Sequence, residues 1–255
     1  DAIADLHNVL RTKILHFLLL SYKWSILDKG RLEKKQLISG VIFKPLRSMI
    51  ERYADVIRNL GFVFSLDKPT FPKATRLSKS LETILKKRTK PFIGIAPFAA
   101  YTSKTYPFRN IKSIIETLSK TNWTIILFGG GQQEIEKLNL LANKYDNVIS
   151  AAGQFSIEEE LQLMAHLKVM LAMDSGNAHM AAMVGIKVIT LWGVTHPYSG
   201  FIPFNQPLEN CLLADREQFP RIPTSVYGNH YPKGYEKAIE SISKEDIIDA
   251  IQKSV

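Results

Sequence analysis

From Pro91 onward, short apolar runs alternate with segments of helical spacing. The runs are Phe92–Ala96, Thr124–Phe128, Val148–Ser150, Val169–Met173, Val188–Leu191 and Asn210–Leu213. They are apolar throughout rather than alternating, as strands buried on both faces require. The segments between them carry helix signals. Ser156-Ile-Glu-Glu159 is a capping box, with Ser156 as N-cap and Glu159 reaching back to it. Leu161, Met164, Ala165 and Leu167 follow at roughly helical spacing. Ser243-Lys-Glu-Asp246 resembles the same device and opens a last helix with Ile247, Ile248, Ala250 and Ile251 on its inner side. Residues 91–255 therefore predict a doubly wound α/β domain with a parallel sheet.

Residues 1–75 read differently. One strand remnant, Ile3–Leu6, precedes helices rich in cations: Lys29, Arg31, Lys34, Lys35, Lys44 and Arg47. A helix at 46–60 ends at Gly61, a usual C-cap residue. This reads as the second half of another α/β unit, with Asp1–Asp5 resembling a strand already under way. The stretch 76–90, rich in cations and preceded by Pro69 and Pro72, is the expected linker. The longest early apolar run, Ile14 to Leu20, is broken by His16 and is too short to span a bilayer.

With 45% of its 255 residues hydrophobic, the chain is apolar enough for a sizeable core. Its net charge of +9 favours anionic partners: nucleic acid, anionic lipid or phosphorylated substrates. The basic residues do not interleave with aromatics in an RNA-binding pattern, although charge alone leaves nucleic acid open. Cys211 is the sole cysteine, which excludes an intrachain disulfide and a cysteine metal site and fits a reducing compartment.

In an open parallel sheet, ligands bind beyond the carboxyl ends of the strands. Four loops leave strands in that direction. Pro97–Pro107 is rich in small residues and contains Lys104, a mobile cation or simply a solvated lysine. Phe128-Gly-Gly-Gly-Gln-Gln-Glu134 exposes backbone N–H groups to an anion or a nucleoside, but glycine runs also serve tight turns. Leu171-Ala-Met-Asp-Ser-Gly-Asn-Ala-His179 passes from a strand into a small-residue helix at 177–184. Its amides and His179 suit a phosphate; equally, Asp174 can cap the helix and His179 be a partly buried structural residue. Leu191-Trp-Gly-Val-Thr-His-Pro197 offers Gly193 and Thr195 for close approach and a hydroxyl contact, with His196 read as a surface residue. Asp-x-Asp, His-x-x-x-His and Gly-x-Ser-x-Gly patterns are absent.

Together these loops resemble glycosyltransferase family 9, the ADP-heptose:lipopolysaccharide heptosyltransferases of bacteria. The resemblance rests on Lys104-x-Tyr-Pro107, Phe128-Gly-Gly-Gly131, Asp174-Ser-Gly-x-x-His179 and Leu191-Trp-Gly-Val-Thr195. Asp5-Leu-His-Asn-Val-Leu-Arg11 and the segment from Glu51 to Gly61 extend it toward the N-terminus. It implies the GT-B fold, two facing Rossmann-like domains, with the N-terminal one incomplete in this chain. It further implies inverting, metal-independent transfer of heptose from ADP-heptose to an anionic lipopolysaccharide inner core. By resemblance, Lys104 and Asp174 are catalytic, and the general base is expected upstream of Asp1. Gly129, Gly130, Gln133, Glu134, Ser175, Gly176, His179 and Thr195 would bind the donor, and Arg11, Lys44 and Arg47 the acceptor. No cofactor, metal or nucleic acid is implied. The setting would be cytoplasmic, peripheral at the inner membrane face. Two alternatives stay open at this point: another GT-B enzyme with a different nucleotide sugar, and a non-catalytic nucleotide-binding domain.

Overall fold

The structure, a computed structural model, describes residues 1–72, 78, 79, 81, 82 and 90–255. The linker expected at 76–90 falls almost entirely outside these. The chain forms two compact units: Asp1–Thr70 with Pro197–Ile202, and Phe71–His196 with Pro203–Val255.

In the first unit, β1 (Ala2–Asp5) leads through α1 (Leu10–Leu18) to β2 (Lys23–Ile26), followed by α2 (Arg31–Ile38) and α3 (Met49–Arg58). β1 and β2 are parallel, with Ala2 opposite Lys23 and Asp5 opposite Ile26. β2 corrects the sequence reading, which has one strand here; its polar Lys23 and Ser25 hide a strand only four residues long. Asp5 is buried at the end of β1. Burial raises its pKa, but bonds from the Thr12 side chain and from the backbone N–H groups of Asn8 and His7 outweigh that and hold it below the usual carboxylate range. α1 buries none of its residues, and Leu10, Ile14, Phe17 and Leu18 are exposed.

α3 starts at Ser48, whose side chain accepts from the Glu51 N–H, and buries Met49, Ala54 and Val56 together with Arg52. The Arg52 guanidinium is offset by Asp28 and Glu33. Beside it, Lys34 is buried with its ammonium 4.5 Å from the centre of the Phe201 ring. Desolvation, and then repulsion by Arg52, push its pKa down to about 8. Pro197–Ile202 groups with this unit because Leu46 N–H donates to the Tyr198 carbonyl and Met49 N–H to that of Gly200.

The second unit is a parallel sheet covered on both faces. Its strands are β3 (Phe92–Ala96), β4 (Thr124–Leu127), β5 (Val148–Ser150), β6 (Leu167–Met173), β7 (Lys187–Trp192) and β8 (Cys211–Leu213). Their spatial order is β5-β4-β3-β6-β7-β8. Numbered within this unit, that is the 3-2-1-4-5-6 order of doubly wound dinucleotide-binding folds. The helices are α4 (Phe108–Ser119), α5 (Gln132–Ala142), α6 (Ile157–Met164), α7 (Gly176–Met183) and α8 (Lys244–Gln252).

Side-chain alternation sorts the sheet onto two cores. Ile93, Ile95, Ile125, Leu127, Val169 and Leu171 pack with α4, α5 and α8. Ile126, Met170, Ala172 and Val188 pack on the other face with α6 and α7. α4 seats Ile111, Ile114, Ile115 and Leu118 at i, i+3, i+4 and i+7. Each such side chain contributes about 1.5–3 kcal/mol on burial. The capping box at Ser156 forms as the sequence indicates, and Ser243 accepts from the Asp246 N–H. Among the described residues, no helix is long and apolar enough to cross a membrane.

Candidate functional site

The strand order reverses between β3 and β6, the point at which doubly wound sheets open a crevice at the carboxyl ends of their strands. Both loops place charged groups there. After β3 the chain makes a single turn, Thr102–Lys104. The Lys104 ammonium lies 3.0 Å from Asp174 Oδ2 at the end of β6. Thr195, in the loop after β7, donates its hydroxyl to the same Asp174 oxygen over 2.9 Å. The side chains of Asp174 and Lys104 are only 9% and 12% exposed. Lys104 is therefore not a solvated loop lysine, and Asp174 does not cap α7.

The N-cap of α7 is Ser175, and its side chain makes no capping bond. The Ser175 hydroxyl is buried and has no hydrogen-bond partner among the described residues. The serines that open α6 and α8 behave differently, each accepting from the third amide of its helix. α7 thus leaves its first amides uncapped, with the positive end of the helix dipole behind them. Among the described residues, a Cβ on Gly176 would meet nothing within 4 Å, so this helix start stands open. His179, on the first turn, is open to solvent on part of its surface and covered by protein on the rest. Desolvation of its ring lowers its pKa, with Asp174 opposing and Lys104 adding to the effect. A lysine, a carboxylate, a hydroxyl, free amides and an imidazole are thereby brought to one crevice.

The glycine turn lies at the end of the neighbouring β4. Gly130 N–H donates to Glu134 Oε2 over 3.0 Å, so the turn and the carboxylate form one unit. Among the described residues, nothing lies within 4 Å of a Cβ built on Gly130 or Gly131. Gln133 is exposed on the first turn of α5. Arg11, Lys44 and Arg47 belong to the other unit and are exposed. Arg47 is paired with Asp55 at 2.7 Å and Glu51 at 3.4 Å, so its charge is partly offset.

Two residues of the fourth loop depart from the sequence reading. Gly193 approaches protein rather than a ligand: a Cβ there would lie 2.5 Å from the Ser103 carbonyl oxygen. His196 is buried, 3% exposed, not on the surface. Its burial, and then the charge of Arg216, push its pKa down to about 4. A base held below its unfolded pKa binds fewer protons folded than unfolded. Its contribution is therefore complete above about pH 6.5 and is lost as pH falls toward 4. The expected loss is about 3 kcal/mol over that window. Denaturant unfolding at pH 7, 5.5 and 4.5 checks it, and His196→Gln should flatten the slope.

Sequence reasoning missed the wall formed by residues 222–230. Thr224 N–H donates to the Val194 carbonyl, Ser103 Oγ to the Gly228 carbonyl, and Ile222 joins Val194, Ala214 and Ala238 in a small core. No local periodicity marks this stretch, because contacts distant in sequence hold it.

Comparison with known proteins bears on what this crevice serves. The sequence profile of glycosyltransferase family 9 (heptosyltransferase) matches residues 1–229. The chain belongs to glycosyltransferase family 9. It is 23% identical over 224 residues to lipopolysaccharide heptosyltransferase 2 of Salmonella typhimurium, covering 80% of this chain and 60% of that protein. It is 28% identical over 113 residues to lipooligosaccharide heptosyltransferase 2 of Haemophilus influenzae, covering 42% of this chain and 33% of that one. Among solved structures, E. coli heptosyltransferase WaaC with ADP aligns with a TM-score of 0.57 at 19% identity, over 82% of this chain and 57% of that one. A family 9 glycosyltransferase of Veillonella parvula aligns with a TM-score of 0.60 at 17% identity, over 81% and 60%. The fold is that of the GT-B heptosyltransferases. This family 9 chain spans between about a third and three-fifths of the length of these relatives.

Proposed function

We propose that the crevice between β3 and β6 binds the diphosphate of ADP-heptose, for inverting transfer of heptose to a lipopolysaccharide core acceptor without a metal. One observation carries the reading most: Lys104 and Asp174 pair at the switch point directly beside the uncapped start of α7. Relatives named as heptosyltransferases, and a similar structure solved with ADP, support the donor.

Glycosyl transfer develops positive charge at the anomeric carbon and negative charge on the departing diphosphate. Preorganised cations and N–H groups aimed at that diphosphate stabilise the charge as it forms. Lys104 exchanges Asp174 for a phosphate oxygen, while the α7 amides, the Ser175 hydroxyl and His179 take others. Asp174, released from Lys104 and still held by Thr195, contacts the sugar. The glycine turn receives the nucleoside, with Glu134 near the ribose and Gln133 at the rim. Arg11 and Lys44 contribute to attracting an anionic acceptor, and association with a membrane surface is peripheral. A different nucleotide sugar would show as tighter binding of UDP or GDP than ADP.

His179 supplies the test. A bound diphosphate favours the imidazolium and raises a pKa that lies below the ordinary value in the free protein. Binding therefore takes up a proton, and the contribution of His179 grows as pH falls through its bound-state pKa. His179→Ala should weaken ADP binding about tenfold at pH 7, the loss of one charge-assisted hydrogen bond. The affinity ratio of unsubstituted chain to variant should rise as pH falls to 6, a ratio from which titration of ADP itself cancels. Calorimetric titration measures both, and a ratio near one at every pH would remove His179 from the site.

A further inference from the structure

We propose that Ser103 and Gly228 form a brace that aims Lys104, which makes Gly228 a positioning residue of the diphosphate site. The inference rests on the assignment of Lys104 to the leaving diphosphate and extends it to a segment that the sequence left without a role.

The turn carrying Lys104 is held at Ser103 by two contacts. Gly193 lies against the Ser103 carbonyl with no room for a Cβ. The buried Ser103 hydroxyl donates to the Gly228 carbonyl over 2.5 Å. Gly228 is fixed in turn: its N–H donates to Ser225 Oγ over 3.1 Å, and Thr224 ties the segment to Val194 by its N–H over 2.9 Å. Val194 adjoins Thr195, which holds Asp174. Both partners of the Lys104–Asp174 pair are thus braced by the same wall.

The contact with Lys104 itself is steric. A Cβ on Gly228 would sit 2.7 Å from Lys104 Cγ and 2.8 Å from Cδ. Gly228 also has φ of +81°, in the left-handed region that favours glycine. Its bare Cα therefore forms one side of a slot for the aliphatic stem of Lys104, whose ammonium emerges 3.0 Å from Asp174. A free lysine stem loses much rotamer freedom when its ammonium is fixed on a ligand. A stem already confined loses less, so the slot preorganises the cation for a phosphate.

A double-substitution cycle tests this by ADP titration, using Gly228→Ala, Lys104→Ala and the pair. Alanine at 228 should displace the stem and weaken ADP binding about tenfold when Lys104 is present. With Lys104 already removed, the same substitution should change the affinity less than about twofold, because it no longer has a stem to push aside. General damage to the fold would weaken binding equally in both backgrounds, and that result overturns the brace, as does an unchanged affinity in the single variant.

Failure of the unsubstituted chain to bind ADP would contradict the diphosphate assignment alone. The brace is then read from the His179 ring by NMR titration. Burial chiefly lowers the pKa of that ring and Lys104 adds to the effect, so Gly228→Ala should raise it as Lys104→Ala does and add nothing to the pair. An unchanged His179 titration in Gly228→Ala overturns the brace.

Discussion

Replacing Lys104 by alanine should lower the affinity for ADP about 100-fold. Two effects of one sign combine. The variant loses a charge-assisted contact worth about 1.5–3 kcal/mol. It also leaves Asp174, whose side chain is 9% exposed, as a carboxylate without its cation, facing the incoming diphosphate. Like charges at short range in a poorly hydrated crevice repel strongly. Together the two amount to about 3 kcal/mol, which converts to about 100-fold. Titration calorimetry at fixed salt checks this, since screening alters its size. A loss under about threefold would place Lys104 outside the binding site.

Asp174→Ala should act with opposite signs on folding and on binding. Removing the carboxylate strands a lysine that is only 12% exposed and takes away the acceptor of the Thr195 hydroxyl. Breaking a largely buried pair from one side costs about 3 kcal/mol or more. For a unit of this size, that lowers the melting temperature by about 6–12 °C. Lys104 no longer has to leave a carboxylate in order to reach a phosphate, so the affinity for ADP should hold or rise. Asp174→Asn keeps an acceptor for Thr195 and should fall between the two in stability. Scanning calorimetry read beside ADP titration separates these outcomes. A variant that melts normally yet fails to bind ADP would show that Asp174 contacts the nucleotide directly and that its pairing with Lys104 is incidental.

Much of the fold was legible because the sheet of the second unit is buried on both faces. Strands such as Phe92–Ala96 and Leu167–Met173 then stand out as apolar runs, and the serine caps mark the helix starts between them. The same rule hid β2, a short strand with polar positions at Lys23 and Ser25. The candidate site was legible wherever ligand-type side chains sit at the end of a strand. Asp174, Ser175, Gly176 and His179 follow β6 without a break, and Lys104 follows β3 within one loop.

What escaped depends on contacts between distant positions. Nothing near His196 says that the chain buries it; the charge that acts on its ring comes from Arg216, twenty residues later. Gly193 looked like an opening for a ligand, whereas its space is filled by the Ser103 carbonyl, ninety residues earlier. Gly228 lies in a proline-rich stretch with no periodicity, and its partner Ser103 is 125 residues away. Local pattern reports which residues leave a strand; it does not report what later folds against them.

The central claim is that the switch-point crevice grips a diphosphate. Calorimetric titration of this chain with ADP and with AMP, both without added metal, tests it most directly. ADP should bind, and AMP, lacking the second phosphate, should bind at least about tenfold more weakly. Equal affinity for the two, or binding of neither, would contradict it.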